Sequence, residues 1–78
     1  MFNDEMVLPQ AEIIAIGNEI VSGLIQDTNG RYLSKQLHLL GINTPRITAV
    51  GDDEGSIASA VEGALERVGI VIVTGGLG

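Results

Sequence analysis

The sequence predicts an α/β fold in which strands and helices alternate as β–α–β–α–β around a parallel sheet. Three observations carry this. Glu12-Ile-Ile-Ala-Ile-Gly17 and Ile70-Val-Ile-Val73 are short, nearly continuous aliphatic runs, the pattern of strands buried on both faces. Between them, two segments place apolar residues at helical spacing. The unusual polar and glycine residues gather where strands hand over to helices, the edge at which open parallel sheets carry ligands. Two-layer packing of such repeats gives parallel pairing with right-handed crossovers.

Residues 1–10 read as a flexible acidic lead-in, with no basic region followed by an apolar core as a secretory leader would have. The first strand is Glu12 to Gly17. Residues 17–28, broken by Gly17, Asn18 and Gly23, have room for a helical turn but read as a long loop. Asp27 or Thr28 is an N-cap residue, and Tyr32, Leu33, Leu37 and Leu40 form the stripe of a first helix that Gly41 stops. Gly30, in the first turn of that helix, lowers helicity by roughly 1 kcal/mol relative to Ala and has no evident reason there. Pro45 stands at the entrance of a second strand, Arg46 to Val50, where a missing N–H does least harm. After the Gly51-Asp52-Asp53 turn a second helix runs from about residue 53 to 68, with Ile57, Val61, Ala64, Leu65 and Val68 on one face. Its acidic start suits the positive end of the helix dipole. Gly69 ends it, Ile70 to Val73 is the third strand, and Thr74-Gly-Gly-Leu-Gly78 follows.

The chain has 78 residues, 45% of them hydrophobic, which is one small domain and too apolar for disorder. With 4 basic against 10 acidic residues it has no basic footprint for nucleic acid. No apolar stretch is long enough to span a bilayer, so no membrane partner is expected. The absence of cysteine excludes disulfides, thiolate ligands and a cysteine nucleophile, and fits a cytoplasmic location. Three strands apolar on both faces need more cover than two helices supply. The sequence is therefore expected to be a truncated piece of a domain, or to complete its core by association as a homo-oligomer.

Three turns hold the candidate chemistry. In Thr74-Gly-Gly-Leu-Gly78, glycines after a strand let backbone N–H groups approach a phosphate closely, although the same residues also make a plain turn. Asp52 and Asp53 can cap the helix, or can hold a ribose hydroxyl or a metal-bound water, and one can cap while the other faces a ligand. Glu19, after Gly17 and Asn18, is a metal ligand or general base, or else a solvated carboxylate. Asn29, beside Asp27 and Thr28, can offer an amide donor and acceptor to a planar heterocycle, or simply belong to the cap. One His and no Cys make a zinc site improbable, and His38 reads as a surface residue. Arg31 and Lys35 read as a solvated helix face, and no serine has an elbow motif or histidine partner.

Taken together, Ala11-Glu-Ile-Ile-Ala-Ile-Gly-Asn-Glu-Ile-Val-Ser-Gly23, Asp27-Thr28-Asn29, Tyr32-Leu33, Val50-Gly51-Asp52-Asp53 and Thr74-Gly-Gly-Leu-Gly78 resemble the N-terminal domain of the CinA family (competence/damage-inducible protein A). That domain is similar to the molybdopterin-binding fold shared by MoaB, MogA and MoeA. The resemblance covers residues 11–78 and implies a three-layer α/β/α domain with a mostly parallel sheet, of which this would be the N-terminal part. It implies a cleft for a small phosphorylated ligand, nucleotide or pterin, and metal-dependent pyrophosphatase activity on ADP-ribose-type nucleotides. The implied ligand-binding residues are Gly17, Asn18, Asp27, Asn29, Thr74, Gly75, Gly76 and Gly78. The implied catalytic residues are Asp52, Asp53 and Glu19, with Asp52 and Glu19 holding a divalent metal such as Mg²⁺. The family continues after the last glycine with Pro-Thr and acidic residues, so part of the implied site is expected beyond Gly78. The nicotinamide mononucleotide deamidase domain of many relatives is not carried over. Two other expectations stand beside the enzyme: a molybdopterin-binding module without hydrolysis, and an incomplete chain inactive by itself.

Overall fold

A computed structural model describes residues 9–75. It contains β1 (Gln10–Ile16), α1 (Asn18–Val21), α2 (Thr28–Leu39), β2 (Asn43–Val50), α3 (Glu54–Arg67) and β3 (Ile70–Gly75). The strands form one sheet in the order β2-β1-β3, and both pairings are parallel. The expected β–α–β–α–β order and parallel sheet are therefore present, with α1 as an addition. The lead-in over residues 1–8 and the residues Gly76, Leu77 and Gly78 lie outside the described residues.

The strand order explains the layers. The connection from β1 to β2 moves one way across the sheet, and that from β2 to β3 moves back past β1. Two right-handed crossovers in opposite directions place their helices on opposite faces. The core agrees. Ala11 and Ile13 of β1 pack with Leu37 of α2, joined by Leu33, Ile42 and Ile72. On the other face Ile14 and Ile16 pack with Ala64 of α3, joined by Val50, Ile57, Ala60, Val61 and Val71. Every residue of β1 after Gln10 is buried, as its unbroken apolar run required.

Some expectations are corrected. Residues 18–21 form a helical turn within the segment read as a loop, held by Ile20 and Val21 N–H donating to the Gly17 carbonyl. The second strand begins at Asn43 rather than Arg46, so Pro45 lies inside it. The β1–β2 register shows how: Gln10 faces Asn43 but Glu12 faces Arg46, so β2 accommodates one extra residue around Thr44 and Pro45. A bulge is one of the few places where a strand tolerates a residue without an N–H. Of the α2 stripe only Leu33 and Leu37 face the core, while Tyr32 and Leu40 are largely exposed. On α3, Leu65 is exposed and Ala60 takes its place.

The caps are local and specific. Asp27 Oδ1 accepts from the Gly30 N–H at 2.9 Å. A Cβ at Gly30 would collide with that same carboxylate, so glycine here makes room for the cap. At the other end Gly41 has φ +81°, its N–H donates to His38 O, and the Ile42 N–H donates to Leu37 O. This is a Schellman ending, completed by packing of Ile42 in the cluster around Leu37.

Candidate cleft at the carboxyl edge of the sheet

The carboxyl ends of all three strands meet at one edge. The Gly17 N–H donates to Val50 O at 3.0 Å, so the first turn leaves β1 directly beside the end of β2. Gly75 stands opposite Ile16 on the other side. Its φ is +92°, and a Cβ there would strike the Ile16 carbonyl oxygen. Only glycine meets both demands. β1 has its sequence-next strand on one side and β3 on the other, which makes this edge a topological switch point. Open α/β sheets form their ligand crevices at such points, outside the carboxyl ends of the strands.

Asn18 joins two of the turns. Its Oδ1 accepts from the Asp52 N–H at 3.0 Å, across 34 residues of sequence. Gly51 has no side chain to disturb this bond; a Cβ there would lie 3.0 Å from the same oxygen. Glu19 follows Asn18 in α1, and its carboxylate folds back so that a Cβ on Gly17 would lie 3.0 Å from Oε1. Glu19 and Asp52 are therefore brought to the same pair of linked turns, and both are exposed.

The other predicted residues divide by use. Asp53 is the N-cap of α3: its Oδ2 accepts from the Ser56 N–H at 2.9 Å. The Ser56 N–H and hydroxyl hold the Asp53 carboxyl below its usual range. Asp27 caps α2, and Asn29 is exposed in the first turn of that helix. Thr74 is part-buried near the end of β3. Gly76 and Gly78 lie outside the described residues.

Among the described residues, no three His, Asp or Glu side chains converge as a metal-ion cluster. Glu19 and Asp52 supply two carboxylates. That donor set fits an ion that takes one or two protein carboxylates and completes its shell with water and ligand phosphates, as Mg²⁺ does. It does not fit an all-protein cage.

Two features carry no signal in the sequence, the Glu12–Arg67 pair and the contact at Gly51. Glu12, counted into an apolar run, is only 2% exposed, and Arg67 of α3 grips it with Nε at 2.7 Å and Nη2 at 2.8 Å. That two-pronged hydrogen bond holds the Glu12 carboxyl below its usual range; burial opposes the shift, and the positive charges of Arg67 and Arg46 assist it. The pair sits toward the amino end of β1, away from the cleft. The role of Gly51 appears only once Asn18 is seen against it.

The topological switch point, the glycine at the end of β3 and the linked turns define an α/β domain of the open parallel-sheet class. Residues 12–78 match the family described as the probable molybdopterin binding domain, and the chain belongs to that family. It is 50% identical over 68 residues to a competence-damage inducible protein of Geobacillus kaustophilus, covering 87% of this chain and 16% of that protein. It is 48% identical over 68 residues to a CinA-like protein of Desulfosudis oleivorans, with the same coverage. Among solved structures it is similar to the protein CinA, of unknown function, from Thermoplasma acidophilum. There the TM-score is 0.86 at 35% identity, over 91% of this chain and 42% of that one. The chain thus spans about one sixth of the length of these curated relatives. The resemblance read from the motifs holds for the family and for the fold.

Proposed function

We propose that the carboxyl edge of this sheet is part of a cleft for a small phosphorylated heterocycle. We further propose that, in the longer proteins of this kind, it serves metal-dependent hydrolysis of an ADP-ribose-type nucleotide. The observation that carries the reading is the Asn18–Asp52 bond, which ties the turns after β1 and β2 together beside Gly75. In this reading Gly75, with Gly76 and Gly78, brings backbone N–H groups to a phosphate. Asp52 and Glu19 would hold a divalent ion, and Asn18 fixes the turn that presents them. Asp53 acts through the α3 cap. The ion would supply Lewis-acid polarisation of the diphosphate. Water adds to phosphorus, the P–O–P bond breaks, and AMP and ribose 5-phosphate leave.

A second reading is a pterin-phosphate or molybdopterin site without hydrolysis. The family description favours it, and so does the exposure of both carboxylates.

Calorimetric titration of the chain with ADP-ribose and with a pterin phosphate separates the readings. Saturable heat with ADP-ribose, dependent on Mg²⁺ and reduced in Asp52→Ala and Glu19→Ala, is expected from the first. Heat with the pterin alone, indifferent to metal, would favour the second. In a polypeptide carrying the whole domain, AMP release that is unchanged in both variants removes these role assignments.

A further inference from the structure

Far from the cleft, the outer side of α2 and the start of β2 enclose a groove of about 440 Å³, lined by Ser34, Lys35, His38, Leu39, Asn43 and Thr44. The volume lies within the usual range for small-molecule sites. A smaller hollow of about 220 Å³, lined by Thr28, Arg31, Tyr32 and Lys35, shares Lys35 with it. Arg31, Lys35 and His38 fall at helical spacing along this side, and all three are exposed. They are three of the five basic side chains in a chain of net charge −6, yet neither hollow is lined by a carboxylate. Among the described residues none of the three is in an ion pair; the guanidinium of Arg67 takes the carboxylate of Glu12 instead. The Thr44 hydroxyl oxygen, shielded from solvent at the bulge, has no hydrogen-bond partner among the described residues. Buried polar atoms are normally paired.

We propose that this α2–β2 groove is a second ligand site, independent of the carboxyl-edge cleft. It takes an oxyanion carried on a small apolar body. Lys35 and His38 meet the charge, with Ser34 and Asn43 as additional donors. Leu39, 76% exposed, receives the body. A phosphate monoester and a carboxylate share this chemistry, and the probes distinguish them. The concentration of unpaired basic groups on one side of an acidic chain is what selects an anion over a neutral or cationic guest.

Titration of the ¹⁵N-labelled chain with phenyl phosphate, benzoate and neutral benzyl alcohol tests it by amide chemical shifts. Saturable shifts at Ser34, Lys35, His38, Asn43 and Thr44 with one or both anions are expected, and none with the alcohol. Lys35→Gln should weaken binding by about tenfold, the scale of one hydrogen bond to a charged group. Arg46→Gln removes the same charge from an exposed site outside the groove and should leave affinity unchanged. The proposal is overturned by an absence of saturable shifts, by equal binding of benzyl alcohol, or by equal weakening in both variants. It is also overturned if the anions shift only the amides around Gly17, Gly51 and Gly75.

Discussion

The two faces of β1 are built from alternate residues of one seven-residue strand, yet they hold their helices differently. On the α2 face the core among the described residues is an aliphatic cluster: Ala11 and Ile13 against Leu37, with Leu33, Ile42 and Ile72 around them. On the α3 face Ile14, Ile16 and Ala64 are joined by a broader set of partly buried aliphatics, and the buried Glu12 carboxylate is clamped by Arg67. Apolar packing is tolerant of small slides and rotations. A two-pronged guanidinium–carboxylate pair is not. The α3 face therefore has a fixed register, and α3 is the helix whose amino end, through the Asp53 cap, lies at the carboxyl end of β2.

The largest effects should come from the aliphatic layers. Ile14→Ala and Ile13→Ala each remove a fully buried side chain, and large-to-small changes of this kind cost about 2–5 kcal/mol. Ile14 has the denser surroundings, so its variant is expected to lose more in urea unfolding. An equal loss would show that the two faces are packed alike, and a larger loss at Ile13 that the α2 face is the tighter one.

The ion pair gives the next test. Arg67→Leu strands a buried carboxylate, whereas Glu12→Leu with Arg67→Leu replaces both charges by packing groups. The single variant should be the less stable of the two, because an unpaired buried charge costs more than the loss of the pair. If the double variant is the weaker, the pair is contributing net stability rather than orientation. Acid sharpens the same point. The folded-state pKa values of Glu12 and Asp53 are both lowered, and both groups belong to the α3 side. Their stabilisation is complete above the ordinary carboxylate range and is lost as pH falls through it toward the lowered folded values. Amide exchange followed against pH should show α3 loosening with acid, and the slope should flatten in the Glu12→Leu/Arg67→Leu variant.

How much of this was legible in sequence depends on the distance over which each feature is coded. β1, α2, α3 and β3 follow from local periodicity and caps, and the structure has them within a few residues. β2 was read short because Asn43 and Pro45 are poor strand residues, and the bulge that admits Pro45 exists only in the pairing with β1. α1 is four residues between glycines and carries no periodic signal. Tyr32, Leu40 and Leu65 fit a stripe by spacing alone, but burial is decided by what lies across from them. Glu12 and Arg67 are 55 residues apart, and no local rule couples them. The same holds for the site. The motifs placed Gly17, Asn18, Glu19 and Asp52 at one edge, whereas the bond from Asp52 to Asn18 and the approach of Gly75 to Ile16 are properties of the fold.

The smallest effects compare the two helix starts, and they should differ in sign. Both helices are capped by an aspartate that accepts from the third helical N–H, and each has a glycine in the first turn. Gly55 has ordinary space: a Cβ there would lie 3.5 Å from Asp53 Oδ2. Gly55→Ala should therefore gain stability by up to about 1 kcal/mol through helix propensity. At Gly30 the added Cβ displaces the Asp27 carboxylate. Gly30→Ala should consequently lose stability, since a lost cap costs about 0.5–2 kcal/mol and outweighs the propensity gain. Asp27→Ala removes the obstacle together with the cap. In that background Gly30→Ala should turn from harmful to helpful, a coupling that thermal unfolding of the four variants reads directly. Additive effects would mean that the glycine is not there to admit the carboxylate, and the α2 cap would then need a different explanation.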